Sequence, residues 1–255
     1  MKLRALGFCG ADDSVHPRHL VVLAQAYPTV EFGVLFRPDK EGQPRYATTA
    51  WVQQLADMKP ACMKLAAHLC GSRVNQVLEG DTQFIAQVAA WGFARVQINA
   101  TAVNGVDTAR LAEQVPNVKK IIQAFPQLEF IIQQNAETQP LWQGLLEEYK
   151  SDNTSIPTNL TMLVDESKGT GVTASSWPTP PAHYEIGYAG GIGPANVRTV
   201  LDDIAVVAAD RAVWIDMESS LRSMKNNRDV FDLDKCFVVI QIVAEMGYFT
   251  HPKWQ

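Results

Sequence analysis

The strongest chemical signal is a pair of glycine-bearing turns. Gly190, Gly191 and Gly193 follow an apolar segment, residues 184–189, and run directly into a helix-like pattern over residues 197–207. Such a turn lets backbone N–H groups converge on an anion without interference from Cβ atoms. A helix starting behind it adds the positive end of its dipole. Gly169 and Gly171 form a second turn, and Ser219 with Ser220 supply hydroxyls that can donate to remaining acceptor sites. These residues predict a phosphate site. The alternative is that the glycines only relieve crowding at tight corners.

Several other residues carry acid–base potential. Asp165 and Glu166 stand together before the Gly169 turn, where one carboxyl is suited to general acid or base work. The alternative is a carboxylate that orders the loop. Cys9 is a base or nucleophile where its thiol pKa is lowered, and otherwise a small apolar filler. His68 is a candidate base or ligand, against the plainer reading of a hydrogen-bonded structural histidine. No metal site is expected. His16, His19, His183 and His251 show no ligand spacing, and Cys9, Cys62, Cys70 and Cys236 are scattered without a Cys-x-x-Cys pair, as in a protein with free thiols.

These residues need a frame. Apolar runs at residues 3–8, 30–36, 62–69, 94–98, 128–132, 160–164, 184–189 and 212–217 read as strands buried on both faces of a parallel sheet. Helical spacing of apolar residues occurs at 19–27, 49–58, 81–91, 107–115, 140–149, 197–207 and 233–246, with Asp81 and Asp107 as start signals; residues 119–124 are ambiguous. Eight strands alternating with helices over 255 residues predict an α/β protein of the (β/α)8 TIM-barrel type, one domain over 1–255 with a short C-terminal tail. An open doubly wound sheet is the runner-up, but the first strand ends at Cys9 and Gly10 without a Gly-x-Gly-x-x-Gly turn. In a barrel, polar residues just past the C-terminal strand ends share one pocket. That rule gathers Cys9, Arg37, His68, Asn99, Gln133, Asp165, Gly190, Gly191, Asp216 and Glu218 to Ser220. The loop 168–181, rich in Gly, Ser, Thr and Pro, is either a lid over that pocket or an ordinary excursion.

The bulk numbers narrow the partners. The formal net charge is −5 and there is no basic run or basic–aromatic interleaving, which argues against nucleic acid. The longest apolar stretch, 237–246, is broken by Gln241 and Glu245 and is too short to span a bilayer. The apolar run after the N-terminus stops at Cys9, too short for a signal peptide. The expectation is a cytoplasmic monomer or homodimer that binds a small phosphorylated substrate and touches neither membrane nor nucleic acid.

The collinear set of motifs resembles phosphoribosylanthranilate isomerase, a (β/α)8 enzyme family of tryptophan biosynthesis. Gly7, Phe8, Cys9 and Gly10 stand where the family opens with Lys-Ile-Cys-Gly. Gly33 to Phe36, then Gln43, Pro44, Arg45 and Tyr46, resemble its Gly-Phe-x-Phe and Ser-Pro-Arg-Tyr. Val96, Gln97, Ile98 and Asn99 partly echo Val-Gln-Leu-His. Leu163, Val164 and Asp165, with Gly169 to Gly171, match Leu-Leu-Asp and its glycine loop. The most specific match is Ala189, Gly190, Gly191, Ile192, Gly193, Pro194, Ala195, Asn196 and Val197 to Ala-Gly-Gly-Leu-x-Pro-x-Asn-Val. The family's Asp-Val-Ser-Ser-Gly is only approximated by Asp216 to Ser220.

The resemblance implies an Amadori rearrangement of a phosphorylated aminosugar without a cofactor. Asp165 would be the general acid and Cys9 the base. Arg45 would meet the aglycone carboxylate, His68 and Asn99 would line the substrate side, and the glycine turns with Ser219 and Ser220 would hold phosphate. Departures fall at Gly7, where the family has Lys, and at Asn99 and Ala100 for His-Gly. Leu221 replaces the glycine after the serines, which predicts a backbone approach closed there. Two alternatives stay open: another barrel enzyme of phosphorylated substrates, such as an epimerase or a Schiff-base aldolase using Lys64, or a phosphometabolite-binding protein that has lost the chemistry.

Overall fold

The structure, a computed structural model, describes residues 1–165 and 176–249. Eight parallel strands close a barrel in sequence order: β1 (Lys2–Cys9), β2 (Val30–Phe36), β3 (Lys64–Leu69), β4 (Arg95–Ile98), β5 (Glu129–Gln134), β6 (Leu160–Val164), β7 (Ile186–Tyr188) and β8 (Ala212–Met217). β1 closes the ring by pairing with β8, Gly7 opposite Asp216. The fold is therefore the expected (β/α)8 barrel.

Helices α1 (Pro17–Ala26), α2 (Thr49–Met58), α3 (Ser72–Leu78), α4 (Gln83–Ala90), α5 (Val115–Ala124), α6 (Gln139–Ser151), α7 (Val197–Ala208) and α8 (Leu233–Glu245) surround it. Their buried residues and the outward-pointing strand residues form one large apolar core around the ring. One expected helix is wrong. Residues 107–114 are not α-helical: Asp107 turns its carboxylate onto the N–H of Ala109, and only a short 3-10 segment, Leu111–Gln114, precedes α5. The helix starts at Val115 because Pro116 favours a first turn, where its missing N–H has no helical partner to lose. Residues 119–124 lie inside that helix. A hairpin after β8, β9 (Arg222–Lys225) and β10 (Arg228–Phe231), was not anticipated. Asn226 and Asn227, at φ of 52° and 58°, supply the two left-handed positions that a tight two-residue hairpin turn requires.

The barrel interior follows the period-two alternation of strands. Near the N-terminal ends lie Glu31, Arg95, Glu129, Thr161 and Trp214. A small apolar cluster of Ala5, Ile131, Leu163, Ala189 and Trp214 packs within the ring. The next inward positions carry the polar set: Cys9, His68, Asn99, Gln133, Asp165 and Asp216. Trp214 takes up much of the lower interior, under the guanidinium of Arg95 at 4.3 Å and that of Arg4 at 4.9 Å.

Gly187 makes room for this indole: a Cβ there would lie 2.1 Å from Trp214 Cε2. Gly187→Ala is therefore expected to destabilise the fold by ~1–3 kcal/mol through overpacking. Urea unfolding checks this, with a lowered midpoint at unchanged slope.

Candidate active site

A cavity of about 500 Å³ opens at the C-terminal end of the barrel. Its lining includes Arg45, His68, Asn99, Asp165, Gly190, Gly191, Ser219 and Ser220, so eight of the expected site residues meet there. Gly169 and Gly171, with most of the expected lid 168–181, lie outside the described residues. The described end of that segment is docked: Trp177 packs edge-on against Tyr188, whose hydroxyl donates to the Pro178 carbonyl at 2.7 Å. Lys64 opens β3 at the opposite end of the barrel and does not line the cavity, which removes the ground for the Schiff-base alternative.

The expected anion cup falls between the two strand ends β7 and β8. Gly190 and Gly191 have φ of 107° and 62°, backbone that side chains with a Cβ rarely adopt. Asn196 pins the turn from both sides, accepting the N–H of Gly193 at 2.8 Å and donating to the Gly191 carbonyl at 2.9 Å. α7 begins one residue later, aiming its N-terminus at the turn. Gly193 has no Cβ because Ser220 fills that place: a Cβ would lie 2.4 Å from that of Ser220. Ser220 then donates to the Ile192 carbonyl at 2.5 Å, stitching the two strand ends together. Leu221 turns its side chain wholly into the core, and its N–H is committed to the Glu218 carbonyl and is not offered to the cavity.

Asp165 ends β6 and accepts a hydrogen bond from Gln133 Nε2 at 2.7 Å. Asn99 accepts from Gln97 at 2.7 Å and donates weakly to Cys70 Sγ at 3.5 Å. Across the cavity, Cys9 Sγ and His68 Nδ1 share a hydrogen bond of 3.1 Å. Burial, followed by the nearby Arg95 charge, pushes His68 down to about 3, so its imidazole is neutral at physiological pH. Burial, then Asp216, Glu218 and Cys70, pushes the Cys9 thiol well up. The pair is a thiol beside a neutral imidazole. Cys9 is 1% exposed and does not itself line the cavity.

Asp216 does line it, as the strand-end rule expects, although no chemical role was read for it from the sequence. Burial first, then Glu31 and Glu218, push its carboxyl well up, against a smaller opposing effect of Arg95. Its inward position next to Gly7 on β1 was the available signal. Gly7 has no Cβ because Asp216 Oδ1 would lie 2.3 Å from it. Where the resembled family has a lysine, this barrel has a glycine and a neighbouring carboxyl in its space.

Arg45 lines the cavity and is held by neighbouring side chains. Its Nη1 donates to Glu218 Oε1 and to Ser219 Oγ, both at 3.0 Å, placing the guanidinium beside the loop after β8. The residue is held in left-handed backbone, φ 80°, by its N–H bond to Asp12 at 2.6 Å. Arg222, buried beneath, bonds Asp12 at 2.8 Å, Asp229 at 2.7 Å and the Gly10 carbonyl at 2.8 Å. This network ties the loops after β1, β2 and β8 into one rim. Strain of this kind is retained where surrounding structure fixes it, often at functional sites.

A closed parallel barrel with its polar cavity at the C-terminal strand ends defines the class: a (β/α)8 barrel with the cavity where enzymes of this fold keep their active sites. No protein-family profile matches the chain. No curated protein matches it either. Solved structures do. TrpF from Jonesia denitrificans superposes with a TM-score of 0.53 at 14% identity, covering 95% of this chain and 98% of that one. Phosphoribosyl anthranilate isomerase from Thermus thermophilus gives 0.53 at 13%, covering 95% and 99%. The 3-keto-L-gulonate-6-phosphate decarboxylase from Vibrio cholerae O1 biovar El Tor gives 0.53 at 11%, covering 98% and 100%. At such identities the likeness is one of fold. Among the described residues no helix is long and apolar enough to cross a membrane.

Proposed function

We propose that this protein is an acid–base isomerase of a phosphorylated sugar derivative, of the Amadori type that the sequence resemblance implies. The observation that supports it most is that one cavity is lined both by Asp165 and Asp216 and by the Gly190–Gly191 turn with Ser219 and Ser220. The substrate phosphate binds in the cup. Asp165 gives a proton to the furanose ring oxygen, the C1′–O bond breaks, and the amine nitrogen becomes an iminium. A group on the cavity floor then takes the C2′ proton, giving an enolamine that tautomerises to the aminoketose. By resemblance that group is Cys9; Asp216 is the carboxyl beside it that reaches the cavity. No atom is gained or lost overall. A non-catalytic phosphometabolite binder is the second reading, favoured by the protonated, enclosed state of Cys9.

Turnover of phosphoribosylanthranilate, followed alongside binding of inorganic phosphate by calorimetry, separates these readings. Turnover with phosphate competition supports the isomerase. Phosphate binding without turnover supports the binder, and no phosphate binding overturns both.

The same titration tests the position of Arg45. Arg45→Gln is expected to weaken phosphate about tenfold or more, the loss of a charge-assisted hydrogen bond worth ~1.5–3 kcal/mol. Glu218→Gln is expected to tighten it, because Glu218 competes with phosphate for the same Nη1. If Arg45→Gln binds phosphate like the unmodified protein, Arg45 is not a phosphate ligand.

A further inference from the structure

We propose that Cys9, His68 and Asp216 form a binding site for one thiophilic divalent cation of the zinc class on the floor of the cavity. A sulfur, an imidazole nitrogen and a carboxylate oxygen from three strands, β1, β3 and β8, come within 4.8 Å of one another. Cys9 Sγ and His68 Nδ1 are 3.1 Å apart. Tetrahedral zinc with bonds of ~2.0–2.3 Å needs its ligand atoms roughly 3.3–3.7 Å apart, so the ion would draw the Asp216 carboxyl inward and open the Cys9–His68 contact slightly.

Glycines make this convergence possible. A Cβ on Gly33 would lie 2.8 Å from His68 Nε2 and 3.0 Å from Cys9 Cβ, and a Cβ on Gly7 would meet Asp216 Oδ1. Among the described residues, Asp216 has neither a hydrogen-bond donor nor an ion-pair partner, although it faces two other potential ligands. A carboxyl without a donor beside a hydrogen-bonded thiol and imidazole offers three ligand atoms to a cation that displaces their protons. Glu218, the next carboxylate, is held by Arg45, so a fourth coordination position is left for the cavity that His68 and Asp216 line.

The donor chemistry selects the ion. Thiolate and imidazole favour zinc, cobalt or similar first-row ions over magnesium and calcium, which prefer all-oxygen sites. Binding releases the Cys9 thiol proton and the Asp216 carboxyl proton to solvent, and the thiolate and carboxylate join the metal. The three ligands are far apart in sequence, at positions 9, 68 and 216, so no spacing motif announces them. The inference goes beyond the isomerase reading and does not depend on it. With the ion bound, Cys9 and Asp216 are held as ligands and cannot accept a substrate proton, so metal binding and isomerisation compete.

Cobalt(II) is the probe, titrated into the chelator-treated full chain without substrate. The expected result is saturable binding of one equivalent, with a thiolate-to-cobalt charge-transfer band in the near ultraviolet. Zinc should erase the band. Cys9→Ser should abolish it, whereas Cys62→Ser and Cys70→Ser keep it. Asp216→Asn should weaken binding by at least the ~10-fold that even an outer-shell loss costs, and it carries the test if Cys9→Ser fails to fold. Absence of saturable binding, or a band that survives in Cys9→Ser, overturns the site. So does unaltered affinity in Asp216→Asn. Because no substrate is present, these results stand apart from whether the protein is an isomerase.

Discussion

Asp165→Asn is expected to lower kcat by ~10²–10⁴-fold, the usual contribution of a positioned general acid, while inorganic phosphate binds unchanged. The substitution is nearly isosteric. The amide oxygen of the variant side chain can still accept from Gln133 Nε2, which bonds Asp165 at 2.7 Å in the unmodified protein, so the end of β6 keeps its geometry. What is lost is the proton that would open the furanose ring. The residues proposed to hold phosphate, Gly190, Gly191, Ser219 and Ser220, follow β7 and β8, whereas Asp165 follows β6. Steady-state kinetics with a phosphate titration should therefore show a fall in kcat with little change in phosphate affinity. Full activity in Asp165→Asn would remove the acid role. Loss of phosphate binding would instead mean that Asp165 supports the cup. Asp216→Asn in the same assay asks which floor group takes the C2′ proton: retained activity returns that role to Cys9.

The parts of this barrel that were legible in the sequence are those in which one physical signal dominates. β2, β6 and β8 have their expected bounds because each is a short apolar run with clear ends. α2 matches as well, its Thr48 hydroxyl capping the N–H of Trp51. The turn at Gly190 and Gly191 was legible because positive φ selects glycine directly. The misread region, 107–115, has helical spacing but also an Asp whose side chain competes for a local N–H, and a proline that favours a later start. Asp216 was gathered with the strand ends but not chosen, because its importance lies in what faces it. Gly7 on the adjacent strand and the Cys9–His68 pair become its neighbours only when β1 closes against β8. Arg45 shows the same limit: its bonds to Glu218 and Ser219 form only when the loops after β2 and β8 meet at the rim.

The largest expected loss of stability comes from the other end of the barrel. Arg95→Met should destabilise the fold by ~3–5 kcal/mol, the cost of leaving buried carboxylates without their cation. Arg95 bonds Glu31 at 2.7 Å and Glu129 at 2.8 Å, with its own side chain and that of Glu31 each only 6% exposed. It also lies over the Trp214 ring. Methionine preserves much of the apolar volume but none of the charge. The effect should depend on pH, and its sign follows from Glu129. Burial pushes this carboxyl up, but the charges of Arg95 and Arg4 outweigh burial and hold it below its ordinary value. A depressed carboxyl contributes stability above its unfolded pKa, and that stability is lost as pH falls through the folded value. Removing Arg95 removes the largest lowering influence. Glu129 in the variant should then be most favourable when protonated, below the unfolded carboxyl value of ~4.3, and should cost stability as pH rises through its raised folded value. The gap between the two proteins should thus be widest near neutral pH and narrow toward pH ~4. Urea unfolding of both proteins across that range measures it. A constant gap would show that Arg95 stabilises through its contact with Trp214 rather than through its carboxylates.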